Sequence, residues 1–281
     1  MSFPRRLGAV IAALAVTLLG TLVAPGVAHA QADPGPPPNS IASMGDSITR
    51  AFNACGWFIE CTSRSYSTGS NSSVDSHYLR IQRVNPNITG NTLNAARSGA
   101  RINELPGQAA TVVNFGAEYV TILVGANDAC ASSEASMTSV EDFRADPDEA
   151  LAILKNGLPN ARIMIVSIPN IKQLWQIGHT NWLARTFWSL GNICQSMLAN
   201  PTSTSPEDMA RRDRVLQRVV DYNTQLAEAC AAYGPNCRFD NNAVFNYSFS
   251  LNQVSGWDYF HPSTEGQALL ARLTYEQGYN W

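Results

Sequence analysis

Four short polar clusters, widely spaced along the 281-residue chain, together hold what acyl transfer requires. Ser47 lies in "SMGDSIT", Gly99 in "RSGA", Asn127 in "GAND", and Asp258 and His261 in "WDYFHP". In such chemistry a serine hydroxyl attacks a carbonyl and a histidine takes its proton. An aspartate orients the imidazole and stabilises its charged form. The backbone amides of Ser47 and Gly99, with the Asn127 carboxamide, are the candidate donors to the developing oxyanion. Loss of one such donor typically costs about 100- to 1,000-fold in rate. No metal or organic cofactor is needed for these steps. Each residue also has an ordinary reading: Ser47 as a helix N-cap, Gly99 and Asn127 as turn residues, His261 as a turn histidine.

What lifts the clusters above those readings is the elements that precede them. An apolar run at Ser40–Met44 ends at Gly45-Asp46-Ser47, and "AEYVTILVGAND" (Ala117–Asp128) runs through Val120, Ile122, Leu123 and Val124 into a glycine turn. "ARIMIVSIP" (Ala161–Pro169) is a further all-apolar strand, and "CRFDNNAVF" supplies a last short one. Between them a helix is expected from Asp146 as cap, with Pro147 in the first turn and Gly157 as the stop. Another is expected over Glu207–Ala232, and a closing helix in "PSTEGQALLARLTYEQ". Apolar strands alternating with helices predict a parallel sheet covered on both faces. In such sheets the ligand lies beyond the carboxyl ends of the strands, where the clusters fall.

Composition narrows the setting. Arg5-Arg6, an apolar run and Ala28-His29-Ala30 read as a signal peptide over residues 1–30. Residues 31–39 then form a proline-rich linker, and 40–281 a single domain. Removing residues 1–30 takes two arginines and no acids, moving the net charge from −3 to −5. No basic run interleaved with aromatics suggests nucleic acid, and no second long apolar run suggests an integral membrane segment. The six cysteines all lie in the remaining part, an even count that reads as disulfides in an exported chain. Local proximity suggests Cys55–Cys61 and Cys230–Cys237, which leaves Cys130–Cys194, although other pairings stay open. That last bridge would close the longest loop and contribute roughly 3–4 kcal/mol on chain-entropy grounds.

The four clusters, in their order and wide spacing, resemble the four blocks of the SGNH, or GDSL-type, hydrolases. The resemblance spans Gly45 to Pro262, nearly the whole exported part. It implies a three-layer α/β/α fold with about five mainly parallel strands in the flavodoxin-like order. By position it implies Ser47 as nucleophile, Gly99 and Asn127 as oxyanion donors beside Ser47, and Asp258 and His261 as the other triad members. The exported six-cysteine form is similar to the secreted actinobacterial esterases and lipases of that family. Ile48 stands where the motif's name has leucine, a conservative swap. Some secreted members replace the triad acid by a main-chain carbonyl; Asp258 makes a full triad the expectation here. The α/β-hydrolase fold is set aside, because its G-x-S-x-G elbow does not occur.

Other chemistry-bearing residues have structural readings. His77 is placed in a polar loop and His179 in a tryptophan-rich segment, neither with an acid three residues before it. Asp46 is read as a turn or hydrogen-bonding residue, and Asp128 as a support for the loop after "GAN". The acidic "EDFRADPDE" does not fit an EF-hand calcium loop. The segment Ile171–Leu198 carries Trp175, Trp182, Phe187 and Trp188, which either fill core or wall an acyl site. The expected product is a secreted, monomeric ester hydrolase acting on lipid or other acyl esters, lipid at a membrane or micelle surface included. A carbohydrate O-acyl esterase is the alternative within the enzyme class. An inactive binder of envelope lipids or glycans is the alternative outside it.

Overall fold

A computed structural model describes Met1, Ser2, residues 35–279 and Trp281. The expected signal peptide beyond Ser2 and the start of the expected linker lie outside the described residues. Five parallel strands form one sheet in the order β2-β1-β3-β4-β5. They are β1 (Ile41–Gly45), β2 (Thr92–Asn94), β3 (Tyr119–Leu123), β4 (Arg162–Ile165) and β5 (Cys237–Phe239). This is the flavodoxin-like order, with its switch point between β1 and β3. The central strands are buried on both faces, as their largely apolar runs predict. Gly45 pairs with Leu123, and Ile122 with Ile165, so the carboxyl ends of β1, β3 and β4 come level.

Ten helices in chain order complete the layers among the described residues. They are α1 (His77–Val84), α2 (Leu105–Phe115), α3 (Ala126–Ala129), α4 (Val140–Gly157), α5 (Ile171–Gly178), α6 (Trp182–Leu190), α7 (Gln195–Leu198), α8 (Pro206–Tyr233), α9 (Ala243–Asn246) and α10 (Thr264–Glu276). Helices α2, α4 and α8 form one layer, with Phe143 of α4 stacked on Tyr222 of α8 at 3.9 Å. Helices α1 and α10 meet across Tyr119 of β3. There His77 bonds the Tyr119 hydroxyl through Nδ1 at 2.9 Å and Thr274 through Nε2 at 2.7 Å. The arrangement is a three-layer α/β/α sandwich. Contacts divide the chain into Met1–Asp33 and Pro34–Trp281, and these strands and helices all belong to the second unit.

Several local expectations are corrected. The helix expected from Asp146 begins at Val140, because the Ser139 hydroxyl accepts from Asp142 N–H at 3.0 Å and caps it about two turns earlier. Pro147 therefore lies inside α4, where it forgoes one ladder bond. Gly157 does end the helix, and a side chain there would strike Val113 at 2.4 Å. His77 is not in a loop: it starts α1, fully buried, and burial pushes its pKa down to about 3. Residues 36–39 are held rather than loose. Pro36 O accepts from Arg162 at 2.6 Å, Pro37 O and Pro38 O from Asn85, and Asn39 N–H donates to Glu118 at 2.8 Å.

Candidate active site

The site grows from the carboxyl end of β1. Gly45 has φ +145°, and a Cβ there would fall 2.1 Å from Leu123 O and 2.6 Å from Thr49 Oγ1. Only glycine lets β1 end so close to β3. Gln108 of α2 clamps both backbone groups of Gly45, accepting its N–H at 2.7 Å and donating to its O at 2.9 Å. The chain then turns through Asp46 into Ser47, and Asp46 Oδ1 accepts from Ile48 N–H at 2.9 Å. No regular α-helix follows; residues 47–51 are a run of turns. Ser47 is therefore not an α-helix N-cap.

Against Ser47 comes the segment before α10. Ser47 Oγ lies 2.7 Å from His261 Nε2, and His261 Nδ1 lies 2.6 Å from Asp258 Oδ2. Asp258 Oδ1 accepts from the N–H groups of Phe260 at 2.9 Å and His261 at 3.0 Å. Burial alone would raise the pKa of Asp258. The bond from His261, the charge of that ring, and the bonds from Phe260 N–H and Asn53 outweigh it and hold the carboxyl below its ordinary value. The carboxylate is thus kept ionised beside the imidazole. Phe52 meets the His261 ring edge-on at 5.1 Å, and Phe260 meets it at the same distance.

The sequence-expected oxyanion donors lie on the neighbouring turns. Gly99 is exposed in the turn after β2, and Asn127 stands in α3, directly after β3. Neither Ser47 N–H nor Gly99 N–H donates to a backbone carbonyl among the described residues. The Asn127 carboxamide donates to Ala100 O at 2.9 Å, which ties the two turns together. Gly125 takes φ +115° at the end of β3, where a Cβ would strike Ile168 at 2.5 Å and Phe143 at 3.0 Å. Asp128 accepts from Ile102 N–H at 2.9 Å and from the Thr138 hydroxyl at 2.7 Å, so it braces both loops.

Two buried acids behind this surface carry raised pKa values. Burial pushes Asp46 up to about 7, and its Oδ2 finds no hydrogen-bond partner among the described residues. Burial likewise raises Asp128 to about 6. Among the described residues no group of three or more His, Cys, Asp or Glu is placed to hold a metal ion.

An apolar cleft next to the relay is lined by Ile48, Ala126, Leu174, Ile177, Phe249 and Phe260 among others. The segment after β4 contributes to it, but not through the residues picked from the sequence. Trp175, Trp182, Phe187 and Trp188 do not line it. Trp188 is fully buried and donates Nε1–H to Tyr259 O at 2.9 Å, while Phe187 packs on the Tyr259 ring at 5.8 Å. These two hold the loop that carries Asp258 and His261. Trp175 is buried under the Arg212 guanidinium and donates to Pro201 O at 2.8 Å. Trp182 faces solvent. The wall instead uses Leu174 and Ile177 of α5, one helical turn apart, a pairing that a search for aromatics passes over.

The cysteines pair as Cys55–Cys61, Cys130–Cys194 and Cys230–Cys237, and no free cysteine remains among the described residues. Cys130–Cys194 fastens the end of α3, three residues after Asn127, to the start of α7. Sequence reasoning missed Asn53, whose Nδ2 donates to Asp258 Oδ2 at 2.7 Å, and Gln108, which clamps Gly45. Gln108 sits in an otherwise small and apolar stretch of α2, a faint signal in the sequence. Asn53 gave none.

A doubly wound parallel sheet with a serine, an imidazole and a carboxylate converging at its carboxyl edge defines a hydrolytic enzyme domain. The chain belongs to the GDSL-like lipase/acylhydrolase family, a family of ester hydrolases, whose model matches residues 41–274. Phospholipase B1, membrane-associated, of Mus musculus is 28% identical over 166 residues, which are 49% of this chain and 11% of that longer protein. Among solved structures, the extracellular lipase of Streptomyces rimosus superposes with a TM-score of 0.51 at 17% identity, covering 85% of this chain and 99% of that one. Phospholipase A1 of Streptomyces albidoflavus NA297 superposes with a TM-score of 0.51 at 16% identity, covering the same shares. No helix among the described residues is long and apolar enough to cross a membrane.

Proposed function

We propose that the chain is an exported serine hydrolase that cleaves carboxylic esters with an apolar acyl chain, lipid esters above all, through an acyl-enzyme. The observation that carries the reading is the Ser47–His261–Asp258 relay, with links of 2.7 and 2.6 Å; an apolar cleft is lined by Ile48, Phe260 and Pro262, the chain neighbours of Ser47 and His261. Ser47 Oγ attacks the ester carbonyl while His261 Nε2 takes its proton. The N–H groups of Ser47 and Gly99, with the Asn127 carboxamide turned from Ala100 O, receive the oxyanion. His261 then protonates the departing alcohol. Water enters, gives its proton to His261 and releases the acid, which restores Ser47. Asp258 stays ionised throughout and stabilises the imidazolium.

The lipid preference rests on the cleft, whose apolar lining would reward each buried methylene of an acyl chain by about 0.8 kcal/mol. Trp57, Phe58 and Ile59 stand 62%, 75% and 51% exposed on the loop beside His261, and Trp257 adjoins Asp258. Such a rim suits a lipid or micelle surface. Export is supported by the signal-like amino terminus and by three disulfides, which suit an oxidising compartment.

The test is hydrolysis of p-nitrophenyl esters from acetate to palmitate by the chain lacking residues 1–30 and by its Ser47→Ala variant. Wild-type activity that peaks on medium or long acyl chains, with the variant near background, is expected. A peak confined to acetate would shift the reading to carbohydrate O-acetyl groups. Equal activity of the two proteins would remove Ser47 as the nucleophile.

A further inference from the structure

The carboxylate of Asp258 has a second side-chain partner besides the imidazole, and that partner is anchored by a disulfide-closed loop. Asn53 is 2% exposed, and all four of its polar groups are engaged. Its Nδ2 donates to Asp258 Oδ2 at 2.7 Å, and its Oδ1 accepts from Phe58 N–H at 2.6 Å. Its backbone N–H donates to Ile59 O at 2.8 Å, and its carbonyl accepts from the Ser255 hydroxyl at 2.7 Å. Phe58 N–H can only donate and the carboxylate can only accept, so the carboxamide fits one way round.

The backbone explains the residue type. Asn53 has φ +58°, in the left-handed region where asparagine is one of the few favoured side chains. The loop that it faces is shut by Cys55–Cys61. The loop's far end is held as well: Glu60 accepts from Arg50 Nε at 2.9 Å and from Ser98 Oγ at 2.7 Å. Ser98 adjoins Gly99. Through Asn53 this small loop therefore reaches the acid of the relay, and through Glu60 the turn expected to receive the oxyanion.

We infer that Asn53 is a positioning residue for the reaction, its carboxamide clamped by the Cys55–Cys61 loop so as to hold the Asp258 carboxylate in line with His261. A carboxylate free to rotate would share Oδ2 with water, and the His261 ring would lose its fixed tautomer and direction. With Asn53 in place, Oδ2 receives two donors from fixed sides and Oδ1 receives two backbone N–H groups. Each acceptor direction is filled, which leaves the imidazole one geometry. The inference rests on the Ser47–His261–Asp258 reading and adds the element that locks it.

The experiment compares Asn53→Asp and Asn53→Gly with wild type on p-nitrophenyl acetate across a pH series. Asn53→Asp keeps the shape, the left-handed backbone and the acceptor for Phe58 N–H, but turns the donor toward Asp258 into a second acid. Two carboxylates at this distance repel or share a proton. The charged groups facing His261 are Asp258 and, further back, Asp46. A second negative charge beside Asp258 should move the acid limb of kcat/KM to higher pH by about one unit. It should also lower kcat by about tenfold or more, with KM changed by less than about threefold.

Asn53→Gly keeps the positive φ and removes only the carboxamide, so it should lower kcat without moving KM. It decides the matter if Asn53→Asp does not fold. A folded variant with the wild-type pH profile and kcat would overturn the inference, as would a change confined to KM. Ser47→Ala, run alongside, keeps the outcomes apart. If Ser47→Ala stays active, the relay itself is wrong; if it is inactive while the Asn53 variants match wild type, only the role of Asn53 falls.

Discussion

Ser47 and His261 are 214 positions apart in the chain, and their Oγ and Nε2 atoms lie 2.7 Å apart. The meeting depends on α10. Gln267 of that helix donates to Ile48 O at 2.7 Å and accepts from Tyr66 N–H at 2.9 Å, which fastens the closing helix to the turn that carries the serine. The Thr264 hydroxyl, at the start of α10, donates to Ala54 O at 2.8 Å and accepts from Arg64 at the same distance. His261 is thus delivered by a helix docked beside the end of β1, not by its own loop alone.

Asp258→Asn keeps the shape of the triad acid but offers His261 Nδ1–H an amide in place of a carboxylate. The imidazole then loses its ionic partner, and the wrong tautomer is favoured. In the template serine triad that change costs about 10⁴-fold in kcat, and a loss of that order is expected here. Steady-state kinetics on a soluble ester measure it. A loss below about tenfold would mean that Asp258 does not orient the base.

The apolar cleft predicts acyl-chain selection through Ile177 of α5. Ile177→Trp fills the space that a chain would occupy. Activity on long-chain esters should fall by more than about tenfold while acetate changes by less than about twofold, since a few buried methylenes account for such a difference. A uniform loss at every chain length would place the acyl chain elsewhere.

The pH dependence of stability follows from the buried acids. Asp46 has an ordinary value of 3.8 when unfolded and about 7 when folded. Between the two the folded state binds the extra proton, so this group lowers stability as the pH rises from about 4 to about 7. Asp128, raised to about 6, acts in the same direction over the lower part of that range. Asp258 acts oppositely: its lowered folded value gives stability present above 3.8 and lost as the pH falls through the folded value. Urea midpoints at about pH 5 and about pH 8 measure the sum. Asp46→Asn should raise the midpoint at the higher pH relative to the lower. An unaltered difference would show that Asp46 titrates normally.

The Cys130–Cys194 bridge joins residues 64 apart in sequence. On the chain-entropy model, replacing both by serine should cost roughly 4 kcal/mol, read as a lower urea midpoint, with a steeper slope because the uncrosslinked denatured chain exposes more surface. Because the bridge ties α7 to the end of α3, next to Asn127, kcat should fall with stability. Full activity in the destabilised variant would separate the bridge from the site.

Much of this molecule is legible in its residues because the signals are local. Apolar runs ending in Gly-Asp-Ser and Gly-Ala-Asn-Asp mark strands that deliver polar side chains at one edge. The reading failed where two local signals competed. Asp146-Pro147 looks like a helix start, but Ser139 with Asp142 caps first, and the longer helix gains more burial against α2 and α8. For the aromatics of Ile171–Leu198 it left two readings open, since tryptophan is as useful for filling space as for binding. Trp188 is spent on Tyr259, and the cleft is walled by Leu174 and Ile177.

By itself, then, the sequence determined the alternation of strands and helices, the strand ends where chemistry belongs, and the residue types available there. Those follow from hydrophobic period and turn chemistry, which act over a few neighbours. The tertiary structure alone decided which groups touch. Asn53 reaches Asp258 across 205 positions, and Gln108 clamps Gly45 across 63. Both are ordinary polar residues in the sequence, and their roles arise only because packing buries each beside a group that must be hydrogen-bonded once water is gone.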